Sequence, residues 1–184
     1  MLTTDQFISE LEKATHAFNG EQKVLAVKEV LGRAFRAGLE LAPKYYKQQD
    51  GHYARRLLHK AADGSFSVVV MVWDVDQKTP LHDHDGRWCV ECVLKGMIKV
   101  TSFEHVGKSS CGGDLFERRQ EVLAGEGQTG HLIPPFEYHE IANALDKACS
   151  VTLHVYDHEL LESTVFVPRG DGSYDRERQS MTYD

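Results

Sequence analysis

Two histidines separated by one residue, His82 and His84, are the clearest candidates for chemistry in this sequence. Side chains alternate between the faces of an extended segment, so residues two apart lie on the same face. A neutral imidazole is the commonest protein ligand for a transition metal. The pair can therefore supply two neighbouring ligands to one ion. A chain with ten histidines can contain such a pair by chance, so the site needs a further ligand elsewhere in the sequence.

The candidates for a third ligand are the histidines on predicted strands, His131, His139 and His154. The spacing of Pro134, His139 and Asn143 is similar to that of the second metal-binding motif of cupin barrels. Phe136 stands where that motif usually has glycine. We favour His139 as the third ligand and interpret His131 as a turn or core histidine.

Three neutral imidazoles add no negative charge and leave coordination positions open. A closed structural zinc site would have four protein ligands, often thiolates, whereas an open site suits Fe(II) with a substrate and O₂. The ligand types alone also leave manganese, nickel, copper and zinc open. Glu91 lies two residues after Cys89 and could face the same interior. A fourth, carboxylate ligand therefore stays open, although its spacing from the histidine pair disfavours it.

The elements that must position these residues change from helical to extended along the chain. Two amphipathic helices are predicted before residue 40, the first behind a capping box of Thr3 and Gln6 and the second ending near Gly38. Strands separated by Gly- and Asp-containing turns are predicted after residue 53. They are expected at 53–58, 66–73, 88–94, 97–105, 115–123, 130–133, 137–142, 149–156, 163–168 and 177–183.

Many short strands with even turn spacing are typical of a closed or sandwiched antiparallel sheet. Together with the two histidine motifs, this pattern resembles the cupin fold. We expect a mainly β protein, a small antiparallel barrel or jelly roll with N-terminal helices packed on it. Residues 1–184 are predicted to form one domain, with a helical part at 1–40 and the barrel at 53–184.

The composition limits the partners of this domain. The net charge of −7 argues against the basic face that nucleic-acid phosphates require. No apolar run approaches the length of a membrane span, and no basic and apolar leader opens the sequence. We expect a cytoplasmic protein without nucleic-acid or membrane partners, as a monomer or a weak oligomer. Cys89 and Cys92 form a CxxC pair, but on a strand they point to opposite faces, which disfavours a zinc or redox site.

The segment Val151–Tyr156 resembles the Ser-x-His-x-Tyr strand of thiol dioxygenases, the cysteine dioxygenase family. Period-two alternation places Thr152, His154 and Tyr156 on one face. The resemblance implies that the Thr152 hydroxyl holds His154, which orients the Tyr156 hydroxyl towards the metal. Threonine replaces serine here, which keeps the hydroxyl and adds a methyl group.

The resemblance extends from about Tyr53 to the end of the sequence. Tyr53 and Arg55 are similar to the Tyr-x-Arg of the family, whose arginine binds the substrate carboxylate, and a guanidinium matches that group in shape. Arg56 is the competing assignment, because the following loop could shift the strand register by one residue. The resemblance also implies that His82, His84 and His139 are the iron ligands.

Cys89 falls where animal members of the family carry a cysteine that crosslinks to the active-site tyrosine, here Tyr156. The sequence leaves open whether this thioether forms. The resemblance implies an Fe(II)-dependent dioxygenase that oxidises L-cysteine with O₂ to cysteine sulfinic acid. 3-Mercaptopropionate or another small thiol acid is an alternative substrate. More distant alternatives are an isomerase-type cupin and a non-catalytic, ligand-sensing cupin that binds a metal.

Overall fold

The computed structural model describes residues 2–184, and within that range two α-helices precede eleven β-strands. The helices are α1 (Thr4–Ala17) and α2 (Gly20–Arg36), and a 3₁₀ turn follows at Pro43–Tyr46. The strands are β1 (Ala54–Lys60), β2 (Phe66–Trp73), β3 (Leu81–His82), β4 (Cys89–Lys95), β5 (Met97–Lys108), β6 (Asp114–Gly125), β7 (Thr129–Leu132), β8 (His139–Asn143), β9 (Ser150–Asp157), β10 (Glu162–Pro168) and β11 (Tyr174–Ser180).

The two helices begin and end where the sequence predicts. The Thr3 hydroxyl accepts a hydrogen bond from the Gln6 backbone, and the Gln6 side chain accepts one from the Thr3 backbone, so the predicted capping box is present. Gly38, with φ +69°, follows α2 in the left-handed conformation that glycine adopts without strain. Neither helix, within the described part of the chain, is long and apolar enough to cross a membrane.

The strands form two antiparallel layers that enclose one interior. The first layer has the order β1-β2-β9-β4-β7, and the second closes in the order β10-β11-β6-β5-β8-β3. The helices cover the outer face of the first layer. The predicted fold class, a mainly β cupin barrel with helices packed on it, is confirmed. That all 184 residues form one domain stays a prediction.

Alternation along β2 shows how one strand serves both faces of its layer. Val68 and Val70 pack with the helices, whereas Val69 and Met71 face the barrel interior. Because both faces are covered, the strand is apolar throughout, and every residue from Phe66 to Trp73 is buried. The same alternation on β1, β4 and β9 decides which polar side chains reach the interior.

The last predicted strand, at 177–183, is displaced in the structure. β11 spans Tyr174–Ser180, and the following residues leave it to run beside β1. The backbone N–H of Asp184 donates to the carbonyl of Arg55 at 2.9 Å, and its carboxylate accepts from the Arg55 N–H at 2.7 Å. Met181 and Tyr183 pack against the interior apolar cluster. This segment therefore covers the barrel near the first strand.

Candidate metal centre

The structure brings together the three histidines that the sequence proposes as metal ligands. His82 lies on β3 and is paired with His139 on β8, while His84 follows two residues after His82. The ring centroids are 4.3 Å apart for His82 and His139, and 4.9 Å apart for His84 and His139. One nitrogen from each ring lies within 4.8 Å of the others.

The hydrogen bonds of these rings leave nitrogen lone pairs free for a metal. Nδ1 of His82 donates to the Pro80 carbonyl at 3.0 Å, and Nδ1 of His139 donates to the Glu137 carbonyl at 2.8 Å. Nε2 of His139 and Nδ1 of His84 are buried without a hydrogen-bond partner. Burial lowers the pKa of all three histidines, so the rings are neutral, the form that binds a metal ion. Their donor atoms therefore fit a transition metal.

Glu137 supports this group, a role that sequence analysis missed. Its carboxylate accepts a hydrogen bond from the backbone N–H of His84 at 3.2 Å, which ties the loop after β3 to the segment before β8. Burial raises the pKa of Glu137 to about 7. The only signal in the sequence is the position of Glu137 two residues before His139. On an extended segment this spacing predicts that the two side chains point to the same face.

Thr152, His154 and Tyr156 share the interior face of β9 as predicted. Nε1 of Trp73 donates to Thr152 Oγ1 at 2.8 Å, and this hydroxyl lies 2.7 Å from Nε2 of His154. The hydroxyl accepts from the indole and still has one hydrogen and one lone pair, so it can pair with Nε2 of His154 in either tautomer of the imidazole. Burial lowers the pKa of His154 to about 3.

Tyr156 lies between His154 and the candidate metal ligands. Its ring is nearly parallel to that of His154, with centroids 5.8 Å apart, and meets the edge of His84 at 5.4 Å. Among the described residues, no hydrogen bond joins His154 to the Tyr156 hydroxyl. The contact between the two side chains is therefore a contact between their rings, and the role of His154 in orienting the phenol stays a prediction.

Cys89 is the direct cross-strand partner of Tyr156. Its sulfur lies 3.9 Å from Nδ1 of His154. Burial raises the pKa of the Cys89 thiol well above its usual value. Cys92 points to the opposite face and packs with the helices, so the predicted divergence of the CxxC pair is confirmed.

Arg55, and not Arg56, faces the interior. Its guanidinium is buried, donates from Nη2 to the Leu160 carbonyl at 2.6 Å and lies 4.6 Å from the centre of the Tyr183 ring. Nε and Nη1 of Arg55 have no hydrogen-bond partner within residues 2–184. Arg56 instead donates to the Lys47 carbonyl at the exposed surface. The interior therefore holds a cation with unused donors.

Two cavities that share part of their lining lie beside these residues. A cavity of about 30 Å³, here called the histidine cavity, is lined by His82, His84 and Tyr156 together with Tyr53. A wider cavity of about 230 Å³, here called the Arg55 cavity, shares Tyr53 and two C-terminal residues with it. Tyr53 stacks on Trp73 with ring centroids 4.6 Å apart, and burial raises the pKa of its hydroxyl. Tyr53 therefore belongs to the walls of both cavities.

A family model described as cysteine dioxygenase type I matches residues 14–166. This chain belongs to that family. Cysteine dioxygenase type 1 of Bos taurus is 23% identical over 150 residues, which cover 81% of this chain and 73% of that protein. The enzyme of Rattus norvegicus is 25% identical over 112 residues, covering 61% of this chain and 54% of the rat protein. The aligned part thus spans about half the length of the rat relative.

Among the solved structures with a similar fold, one example supports the fold alone. It is a crystal structure from Thermus thermophilus, with a TM-score of 0.50 and 15% identity, covering 65% of this chain and 95% of that one. Membership of the cysteine dioxygenase family indicates oxygenase chemistry and a metal centre, and the group of three histidines supplies the residues for one.

Two other polar residues lie apart from the histidine group in this family member. Glu91 is buried beside His154, with Oε2 3.7 Å from Nδ1, and is not part of the three-histidine group. The open alternative of a fourth, carboxylate ligand therefore finds no support in the geometry. His131 lies exposed on β7, with Nδ1 3.3 Å from Nζ of Lys28. Its interpretation as a turn or core residue is wrong, because it faces out from a strand at the edge of its layer.

Proposed function

We propose that this chain is an Fe(II)-dependent thiol dioxygenase that adds both atoms of O₂ to the sulfur of L-cysteine and forms cysteine sulfinic acid. The observation that carries the proposal is the buried Arg55 guanidinium, with two unpartnered nitrogens, beside three neutral histidines. The positive charge of Arg55 is among the causes that lower the pKa of His84, so the two groups interact. A small thiol acid carries both groups that such a site would bind.

His82, His84 and His139 would hold a ferrous ion through their free nitrogens. The ion, when bound, lowers the pKa of the substrate thiol and supplies the chemistry with O₂. The carbonyls of Pro80 and Glu137 fix two of the rings in the tautomer that leaves Nε2 free. These contacts orient the ligands before the metal arrives.

Arg55 binds the substrate carboxylate. A buried donor without a partner costs free energy, and an incoming carboxylate supplies acceptors for Nε and Nη1. Tyr53 lines the way from the Arg55 cavity to the histidine cavity. The histidine cavity holds about the volume of one water molecule, so substrate entry requires movement of side chains such as Met181 in its wall.

Tyr156 keeps its proton, because burial raises the pKa of its hydroxyl well above the usual value. As a neutral phenol it would donate a hydrogen bond to the substrate. Thr152 and His154 position it from behind through the contacts described above.

The proposal includes a thioether between Cys89 and Tyr156, which is supported by their direct pairing across the strands β4 and β9. The new bond joins the Cys89 sulfur to the ring carbon next to the hydroxyl-bearing carbon. Its formation removes the thiol hydrogen and one ring hydrogen, and the two electrons pass to O₂. The sulfinic acid reaction itself does not require this bond.

The test is oxygen uptake by the purified chain loaded with Fe(II). L-Cysteine, 3-mercaptopropionate and 2-mercaptoethanol are compared, with the metal-stripped protein as a control. We expect uptake with L-cysteine, a lower kcat/KM for 3-mercaptopropionate, and little uptake for 2-mercaptoethanol, which has no carboxylate. Faster turnover of 3-mercaptopropionate would overturn the substrate assignment, and no uptake with any thiol would overturn the proposed activity.

A further inference from the structure

A third cavity, of about 230 Å³, lies at the opposite edge of the first layer from Arg55. Glu91 on β4 lines it, whereas Arg55 lies on β1, and the strands β2 and β9 separate β1 from β4. We call it the Glu91 cavity. The proposed dioxygenase reaction makes no use of it, and the three candidate metal ligands are not among its lining residues.

Glu91 is an acid without a countercharge. Its side chain is 9% exposed, and no described residue forms a hydrogen bond with Oε2. Among the described residues, the only basic group within ion-pair distance is His154, which is neutral. A buried carboxylate without donors or a positive partner is costly, so the group either binds a proton or pairs with a cation from outside.

The carboxyl is reachable from the cavity because its cross-strand neighbour is a glycine. Gly130 on β7 lies directly opposite Glu91, and a Cβ at that position would meet Oε1 of Glu91 at 3.0 Å. Any larger side chain would cover the carboxyl. The rest of the wall has six apolar residues and five polar, formally uncharged ones, namely Val93, Ile98, Val100, Val122, Ala124 and Leu132, and Ser102, Gln120, Gln128, Thr129 and His131.

We propose that the Glu91 cavity binds a small organic cation, a primary ammonium group with a short aliphatic chain. The ammonium supplies three donors and one positive charge to the carboxylate, and the chain lies against the apolar wall. The volume is below the range of roughly 300–1,000 Å³ for drug-sized ligands, so the ligand has only a few heavy atoms. An anion would be repelled by Glu91, and a neutral alcohol would leave its charge unpaired.

Binding of the cation competes with protonation of Glu91. Burial raises the pKa of this carboxyl to about 7. The other titratable groups on this interior face are His154 and Tyr156 on β9 and Cys89 on β4. Near neutral pH the imidazole, the phenol and the thiol are uncharged, because burial lowers the pKa of His154 and raises the pKa of Tyr156 and of Cys89. The affinity for an ammonium ion is therefore expected to rise as the pH increases through about 7.

The test is a titration of the full chain with n-butylammonium, followed by amide NMR. Saturable shifts are expected at Gly130 and Thr129, with n-butanol and butyrate as negative controls. In Glu91→Gln the affinity should fall by about tenfold or more. The matched control is Glu117→Gln, which removes an exposed carboxylate from β6 and should change nothing.

Ala124→Leu fills the cavity without changing charge and should also abolish the shifts, which guards against a fold defect in the first variant. Thermal unfolding of each variant is measured alongside. The absence of saturable shifts in the native chain, equal binding by Glu91→Gln, or equal binding of n-butanol would overturn the proposal. The inference does not depend on the proposed dioxygenase activity, because its readout is binding alone.

Discussion

The Arg55 and Glu91 cavities have similar volumes, about 230 Å³ each, but hold buried groups of opposite sign. Arg55 cannot lose its proton in a protein, so its unused donors require an anion. Glu91 can take up a proton and become neutral, so its need for a partner depends on pH. The Arg55 cavity therefore favours an anionic ligand at every pH, whereas the Glu91 cavity favours a cationic ligand only when Glu91 is ionised. The candidate metal centre lies on the Arg55 side of this division.

The largest expected effect is the loss of one candidate metal ligand. His139→Ala should lower the iron content of the protein, because two imidazoles alone bind the metal weakly. The rate of oxygen uptake should fall by at least about a thousandfold. His131→Ala is the matched control, since this histidine is exposed and distant from the group. Metal analysis and oxygen consumption measure both. Full iron content in His139→Ala would show that the ligand assignment is wrong.

The next effect separates the two neighbouring arginines. Arg55→Gln should raise the KM for L-cysteine by about a hundredfold, because it removes a buried charge-assisted contact to the carboxylate. Arg56→Gln should leave KM nearly unchanged, since Arg56 donates to a carbonyl at the surface. Steady-state kinetics on both variants provide the measurement. Equal effects would contradict the placement of Arg55 in the substrate site.

The raised pKa of Glu91 is tested by the free energy of unfolding measured as a function of pH. The folded state holds the Glu91 proton more tightly than the unfolded state, because the pKa rises from 4.5 to about 7. The free energy of unfolding therefore decreases as the pH rises from about 4.5 to about 7. Glu91→Gln removes this decrease. Relative to the native chain, it should gain on the order of 3 kcal/mol between about pH 4 and pH 8.

Urea unfolding at several pH values measures this gain. The exposed variant Glu117→Gln should follow the native pH profile, because its carboxylate is not buried. If Glu91→Gln and the native chain show parallel profiles, Glu91 is ionised in the folded protein and the contrast between the two cavities is lost.

The smallest expected effect concerns the two cysteines of the CxxC pair. Iron-loaded protein exposed to O₂ and L-cysteine should lose the mass of two hydrogens when the thioether forms. Cys89→Ser should abolish the mass change and lower the activity only a few-fold. Cys92→Ser should show the mass change and the activity of the native chain. Intact-protein mass spectrometry separates the two outcomes. A mass change that survives in Cys89→Ser would exclude the Cys89–Tyr156 bond.

The sequence predicts residues whose position follows from alternation along a strand. His82 with His84, and Thr152 with His154, are two residues apart and share a face in the structure as expected. The capping box of α1 is likewise local and is confirmed. These predictions depend on short-range geometry alone, which the sequence contains.

The sequence does not predict contacts between distant segments. The choice between Arg55 and Arg56 depends on how β1 pairs with β2, and the covering of Arg55 depends on residues 181–184 leaving β11. The burial of Glu91 against His154 needs the pairing of β4 with β9 and the glycine on β7. No local pattern gives the register of three strands at once.

The most direct test of the central claim is a single turnover assay in ¹⁸O₂. Fe(II)-loaded protein is mixed with L-cysteine, and the product is analysed by mass spectrometry. If the chain is a dioxygenase, we expect cysteine sulfinic acid in which both sulfinyl oxygens carry the label, and we expect no such product from His139→Ala. A product labelled at one oxygen or none, or an equal yield from His139→Ala, would contradict the proposed dioxygenase activity.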